Sequence, residues 1–315
     1  MIIKKLTVPK RLYYLRRLLS RLKKQSPHRK RLLQELNNLE KGYEAEAALP
    51  YYIRRINADI RKMVILHDLR LPASDGSHFQ IDCLLLTPSF GCIIEVKSQN
   101  DRFTFTQNAN NFHYEKYPMD DPIHQAKEQR DQLQKWIRVS NYPIFYLVGL
   151  ADARASVHAD ESSQWVHQKI MHFKRLKSTI LTFYEKYRRE RLSMREVVQI
   201  GERLMEAHCE PRIDFQVDAD DILCGTACPS CQRLGMQRSR YIWKCKHCGC
   251  RSRDAHIEAF IDYFYFVSDQ MTNMDCRRFL QIEKSHTAWT LMNSSDMLAR
   301  DGSTKGSVYF MEKGK

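Results

Sequence analysis

Leucines 12, 15, 19 and 22 recur at helical spacing between basic positions, which predicts a basic amphipathic helix that Pro27 breaks. A second helix is expected from Arg29 to Lys41, with Leu32, Leu36 and Leu39 on one face. The period then changes. The runs KMVILHDLRL, HFQIDCLLLT and GCIIEVKS within residues 62–98 read as strands, and Thr87-Pro88-Ser89-Phe90-Gly91 is a turn signal that makes the last two a hairpin. Residues 143–149 read as a later core strand, and 165–187 as a short strand leading into a helix. Residues 193–208 form a helix with Ser193 as N-cap and Glu196 completing a capping box. Further on, Ile257, Phe260, Ile261, Phe264 and Val267 mark an amphipathic helix from Ala255 to Met271. Thr272 caps a helix from Asn273 to Leu280, a turn follows at 282–285, and another helix is expected from His286 to Met297. Residues 300–306 read as a hairpin tip leading to Ser307–Phe310.

The chain has 315 residues, 43% hydrophobic and 28% charged. That is a soluble globular composition with room for more than one domain. The longest apolar run, about residues 142–151, falls short of the roughly 20 residues of a membrane span, so no span is expected. The net charge of +14 puts nucleic acid first among partner classes. That charge is concentrated: residues 1–41 hold 13 basic and 2 acidic residues, residues 228–253 hold 7 basic and none acidic, and the remainder is near neutral. The N-terminal stretch reads as a helical hairpin packed on the next domain, as an arm that faces nucleic acid, or as a membrane-surface helix.

Ten cysteines are present, and four stand as Cys228-Pro-Ser-Cys231 and Cys245-Lys-His-Cys248. Two such pairs, each on a tight turn, make a closed tetrahedral site of the structural zinc type. Thiolates kept free for metal imply a reducing, cytoplasmic setting. Cys250 reads as a bystander, and the intervening residues as two strands of a zinc ribbon. Tyr241 and Trp243 lie there among Arg233, Arg238, Arg240 and Lys244. The module suits a phosphate backbone and exposed bases, or Trp243 covers the metal site.

The hairpin carries the second candidate chemistry. Glu95 and Lys97 share one face of the third strand, and a turn centred near Ser89 sets Asp82 opposite position 95 or 96. Two carboxylates among Ile81, Leu84, Leu85, Leu86, Ile93 and Ile94 repel and take up protons unless a cation joins them. Oxygen ligands of this kind suit Mg²⁺ or Mn²⁺, and Lys97 is placed to stabilise charge on a phosphate. The plain alternative is a pair of exposed acids with Lys97 as a salt-bridge partner.

The string Gln80-Ile81-Asp82 … Ile94-Glu95-Val96-Lys97 resembles the D…ExK signature of restriction-endonuclease-like nucleases. More narrowly, residues 42–150 resemble the NERD (nuclease-related domain) family. Gly42-Tyr43-Glu44-Ala45-Glu46 looks like that family's first helix, with Ala45 where a second glycine often stands, and Asp121-Pro122-Ile123-His124-Gln125 like its glutamine-bearing helix start. The resemblance implies Asp82 and Glu95 as metal ligands, Lys97 as catalytic lysine, Glu46 as helix carboxylate and Gln125 lining the site. Glu44 is the rival of Glu46, since the two point in different directions on a helix. Pro50 is expected to kink or end that helix near Leu49.

The expected organisation is a basic helical arm (1–41), a nuclease-like α/β domain (42–210) with a mixed sheet flanked by helices, an acidic linker (211–227), a zinc ribbon (228–253) and a tail (254–315). Helix, turn, helix and hairpin give that tail a resemblance to a winged helix-turn-helix. The helix from His286 to Met297 carries Trp289 but no Lys or Arg, so the tail also suits a protein partner. The expected activity is metal-dependent phosphodiester hydrolysis, on DNA before RNA. A non-catalytic nucleic-acid-binding protein that keeps the fold is the alternative.

Overall fold

A computed structural model describes residues 1–99, 102–106, 111–114, 121–303 and 306–312. They fall into two compact units, each assembled from segments distant in sequence: residues 1–8 with 38–211, and residues 9–37 with 212–315.

The chain starts with strand β1 (Ile2–Lys4) and passes through helices α1 (Lys10–Arg21) and α2 (Arg29–Asn57). Strands β2 (Val64–Pro72), β3 (His78–Leu86) and β4 (Gly91–Lys97) follow, then the short strands β5 (Arg102–Thr106) and β6 (Asn111–Tyr114). Helix α3 (Pro122–Ile137), strands β7 (Ile144–Leu150), β8 (Ser156–Ala159) and β9 (Ile170–His172), and helices α4 (Phe173–Lys186) and α5 (Met194–Glu206) complete this part.

In the first unit, six strands form a mixed sheet in the order β1-β2-β3-β4-β7-β9, antiparallel through β2, β3 and β4 and parallel elsewhere. One face packs on Leu49, Ile53 and Ile56 of α2 and on Leu176 and Ile180 of α4. The other packs on Leu133 and Ile137 of α3 and on Val197, Ile200 and Leu204 of α5. With helices on both faces, the central strands are apolar on both sides and read as near-continuous hydrophobic runs. Gly201 lets α5 approach the sheet: a Cβ there would lie 2.5 Å from Ile3 Cδ1. Strands β5, β6 and β8 form a separate small sheet.

Two expectations change here. The N-terminal segment is not wholly helical, because Ile2–Lys4 is a strand parallel to β2. Of the two outcomes expected at Pro50, the end near Leu49 is excluded, and the helix expected to close at Lys41 also continues: α2 runs on to Asn57 with Pro50 inside it. The proline removes one backbone donor, but Leu49, Ile53 and Ile56 are each buried to 1% exposure or less, and that burial outweighs the lost bond. The Ser193–Glu196 capping box and the β3–β4 hairpin form as expected. At the hairpin turn, Thr87 Oγ1 accepts from Ser89 N and Phe90 N, and Tyr142 Oη donates to Thr87 O.

Strict alternation fails at one place. Val64 and Leu66 share a core cluster with Leu69 and Leu71, and Leu84 and Leu86 share it with Ile81. A strand that alternates regularly would send these pairs to opposite faces. The switch in β2 falls at Asp68, whose φ of +50° lies in the left-handed region that Asp tolerates better than most residues.

In the second unit, strands β10 (Thr226–Ala227), β11 (Leu234–Ser239), β12 (Ile242–Lys244) and β13 (Arg251–Ser252) form one small sheet. Helix α6 (Ala255–Phe266), strand β14 (Met271–Thr272), helices α7 (Asn273–Leu280) and α8 (Ser285–Asn293), and strands β15 (Leu298–Asp301) and β16 (Val308–Met311) follow, with sheet order β14-β16-β15. Helix α6 stops at Phe266, earlier than expected, because Met271–Thr272 is taken up by pairing with β16. Helix α8 stops at Asn293, where Ser294 and Ser295 turn the chain through bonds from their N–H groups to Thr290 O and Met292 O. The Ser294 hydroxyl also donates to Leu291 O, a side-chain bond of the kind that competes with continued helix. Thr304 and Lys305 of the expected hairpin tip lie outside the described residues.

Much of the N-terminal basic stretch is used inside this unit. Asp262 accepts from Arg17 Nε (2.6 Å) and Arg21 Nε (2.5 Å), and Arg17 also pairs with Glu258. Arg21, 1% exposed, further donates to Gly225 O and Leu223 O. Arg11 binds Glu35, Arg29 binds Leu19 O and Leu22 O, and Arg31 binds Phe215 O. Asp262→Ala strands a buried guanidinium, and is expected to lower unfolding free energy by about 3–5 kcal/mol. Urea unfolding of the variant beside wild type measures this, and a change below about 1 kcal/mol would show the pair to be dispensable.

Candidate active site and metal centre

The β3–β4 ladder pairs Cys83 with Ile94, so the next rung sets Asp82 opposite Glu95. There the ladder opens, and Val96 N–H donates to Asp82 Oδ2 at 2.7 Å. Glu95 is 3% exposed, and both its oxygens are engaged. Lys97 Nζ donates to Oε1 at 2.7 Å, and Gln129 Nε2 donates to Oε2 at 2.8 Å. Lys97 also donates to Gln125 Oε1 at 2.9 Å. Helix α3 sets both glutamines: Asp121 caps it by accepting from Ile123 N, Pro122 opens it, and Gln125 and Gln129 stand one turn apart.

Glu46 joins from α2. It is partly buried and lies within electrostatic reach of Asp68, Glu95 and Asp82, whereas Glu44 is exposed. Four residues absent from the sequence-derived set, Lys4, Asp68, Gln80 and Gln129, also belong here. Lys4, 7% exposed, lies 3.6 Å from Asp68 Oδ2, Gln80 Nε2 donates to Asp68 Oδ1, and Gln129 holds Glu95. The acid at the alternation break was visible in the sequence. The ladder pairs His67 with Cys83 and Leu69 with Ile81, which puts Asp68 level with Asp82. Lys4 gave no signal, because a three-residue edge strand has no readable period.

Burial raises the carboxyl pKa values. Asp82 is pushed well up by burial, then by Glu95 and Glu46, against the opposing pull of Val96 N–H and Lys97. Glu46 is raised to about 7 by burial, Asp68 and Glu95, with Lys4 opposing. Burial also raises Asp68. With all four carboxylates (Glu46, Asp68, Asp82, Glu95) ionised against two ammonium groups (Lys4, Lys97), the site would hold a formal surplus of two negative charges, which protons relieve when no cation is bound and one divalent cation would balance. Gln129 Oε1 is also buried without a hydrogen-bond partner, an acceptor that a metal-bound water suits. The residues therefore fit a hard divalent cation, with oxygen donors and surplus negative charge. Among the described residues, the sets of three or more potential ligands lying within 4.8 Å of one another are the four ribbon cysteines and His28–Asp218–Asp221. Glu46, Asp82 and Glu95 do not form one, so their carboxylates are grouped electrostatically without closing on a single point.

Cys228, Cys231, Cys245 and Cys248 do close on one point: Cys228 Sγ lies 3.6 Å from Cys248 Sγ, and Cys231 Sγ lies 3.6 Å from Cys245 Sγ. This group could hold structural zinc. Burial works against the Cys228 thiolate, but the backbone N–H groups of Cys231 and Ser230, together with the Cys248 and Cys231 thiols, offset it and bring the thiol down to about 6. His247 N donates to Cys245 Sγ, as each knuckle requires. Cys250 stands outside the set, and His247 contributes no ring nitrogen to it. Trp243 is fully buried and donates to His256 Nδ1, so it covers the module from within; Tyr241, 78% exposed, is the aromatic available to a ligand.

Residues 41–151 match the family model of the nuclease-related domain, NERD. Among curated proteins and among solved structures, none matches the chain. No helix among the described residues is long and apolar enough to cross a membrane.

The two sites yield separate tests. The Glu46 carboxyl, raised from 4.5 to about 7, contributes stability that is fully present below about pH 4.5 and lost as pH rises through about 7. With divalent cations withheld, Glu46→Gln is expected to match wild type near pH 4 and to exceed it by up to about 3 kcal/mol near pH 8, read by urea unfolding at both values. Protein purified without chelator is expected to carry about one equivalent of zinc. Elemental analysis of wild type beside Cys231→Ser decides it, and equal zinc in both would remove the four-cysteine assignment.

Proposed function

We propose that the nuclease-related domain of this chain hydrolyses phosphodiester bonds in nucleic acid, DNA before RNA, with Mg²⁺ or Mn²⁺ on Asp82 and Glu95. The observation that carries the reading is Lys97 Nζ held between Glu95 Oε1 and Gln125 Oε1, beside Asp82 and inside the matched domain. The mixed sheet with helices on both faces supports a restriction-endonuclease-like core. When bound, the cation supplies a water of lowered pKa and neutralises charge at the phosphate. Val96 N–H fixes the Asp82 carboxylate, and Gln129 fixes Glu95 from the side opposite Lys97. Lys97 offers an ammonium in a water-poor setting, where its attraction to charge developing on the phosphate is strong. Glu46, protonated near neutrality, is placed to hold or release a proton beside these groups.

The second reading is a nucleic-acid-binding protein that keeps this fold without cutting. It is favoured by one observation: both oxygens of Glu95 already have partners in the side chains of Lys97 and Gln129. In either reading the ribbon, with Tyr241 and its basic residues, holds the backbone. The order α6-β14-α7-α8-β15-β16 supports a winged-helix tail. Trp289 of α8, 46% exposed and without Lys or Arg on its helix, suits a protein partner for that tail.

Full-length protein incubated with Mg²⁺ or Mn²⁺ on supercoiled, linear and single-stranded DNA and on RNA is expected to cut. Asp82→Ala and Lys97→Ala are each expected to lower the rate at least about a hundredfold. Cleavage that survives both substitutions excludes this site, and salt-sensitive binding without cleavage selects the second reading.

A further inference from the structure

Away from the carboxylates, the first unit has a groove of about 410 Å³, within the size range of ligand clefts. Its wall carries Lys135, Arg138 and Arg203, the indole of Trp136, and the 72–74 turn that follows β2. None of its lining residues is acidic, so the groove holds a formal charge of +3 in a domain segment that is otherwise close to neutral.

The cations are only partly used. Arg203 donates from Nη2 to Trp136 O, and Arg138 from Nε to Lys135 O. A guanidinium has five N–H donors, so these contacts fix each fork and leave most of it for a ligand. Lys135 Nζ donates to Ser74 Oγ and Gln132 Oε1. Trp136 Nε1 donates to Pro72 O, which pins the indole against the turn. Fixed guanidinium forks beside an aromatic surface suit a phosphodiester next to a base.

Two elements connect the groove to the candidate active site, and each acts as a ruler. Helix α3 carries Gln125 and Gln129 at the site and Lys135 and Trp136 at the groove, a span of about 9–16 Å at roughly 1.5 Å per residue. Strand β2 carries Asp68 at the site and Pro72 at the groove, about 13 Å at roughly 3.3 Å per residue. Both put the groove within reach of a phosphate a few steps along the same strand from the candidate site.

We infer that this groove is a second phosphate subsite, which grips one strand of the nucleic-acid substrate a few nucleotides from the bond at Asp82, Glu95 and Lys97. The inference rests on the nuclease reading of that site. It assigns Arg138 and Arg203 to binding and register, while the chemistry stays with the carboxylates and Lys97.

The test uses full-length protein and a fluorescein-labelled twelve-nucleotide single-stranded DNA. Binding is measured by anisotropy in the Asp82→Asn background, so that it needs no cleavage, with Arg138→Glu and Arg203→Glu added separately. Each is expected to weaken binding roughly tenfold and to reduce the slope of log affinity against log salt by about 0.7. In the active background, each is expected to raise KM with kcat within about twofold. The gain in kcat/KM as substrate is lengthened nucleotide by nucleotide on one side of the scissile bond should disappear. Thermal unfolding checks that both variants fold, and Lys135→Ala, which reverses no charge, should show a smaller loss in the same direction. Unchanged affinity and salt slope in both folded arginine variants overturns the inference. Inorganic phosphate or a mononucleotide that quenches Trp136 fluorescence, with oligonucleotide affinity unaffected by either arginine, also overturns it, since the groove then serves a free small anion. If wild type cuts nothing while the arginine variants still lose oligonucleotide binding, the nuclease reading fails and the groove assignment stands.

Discussion

The arrangement of the candidate site depends on the register of one hairpin. Antiparallel pairing of Cys83 with Ile94 brings Asp82 level with Glu95, and the Val96 N–H that would otherwise continue the ladder is given to the Asp82 carboxylate instead. A slip of one residue would send every side chain of the strand to the opposite face and separate these groups. The apolar side chains that lock the register, Leu84, Leu85, Leu86, Ile93 and Ile94, are also what strips water from the acids. Stability of the hairpin and perturbation of the carboxyls therefore have the same origin.

Much of this was legible in the sequence, where local rules act. The turn at Thr87–Gly91, the capping box at Ser193, the cap at Thr272 and the two cysteine pairs depend on residues a few positions apart, and each formed as read. The opposition of Asp82 and Glu95 was legible because a short turn fixes register. What could not be read depends on non-local packing. Lys4 comes into place only because a three-residue strand adds to the sheet edge beside β2. Gln129 acts because capping at Asp121 sets the phase of α3. Pro50 looked like a helix stop because propensity is local, whereas the burial that carries the helix past it is tertiary. Asp68 was visible, yet its left-handed backbone was not, since an acid in a strand does not announce where alternation will break.

The basic charge also changes meaning. From composition, the first 41 residues were the strongest electrostatic feature of the chain. Five of their arginines, at 11, 17, 21, 29 and 31, are committed to carboxylates and carbonyl oxygens within the second unit. A guanidinium bound in this way, as Arg21 is, is a structural element and contributes little to attracting a distant polyanion. Net charge thus overstates the surface available to nucleic acid. The ribbon's basic residues and the arginine forks beside Trp136, which are few but exposed, gain weight by comparison.

Arg21 and Asp262 are separated by 241 residues, and that separation sets a schedule. A chain emerging from the ribosome at roughly 5–20 residues per second makes α1 about 10–50 s before its partner in α6 exists. During that interval Leu12, Leu15, Leu18 and Leu19, all buried in the finished protein, lack the residues after 211 that complete their unit. The first unit needs only residues up to 211 and can condense first, while an amphipathic basic helix waits in solution. Synthesis therefore passes through a species whose leucine stripe is not yet fully covered, the kind of surface that chaperones bind, and the second unit closes only after α6 has been made.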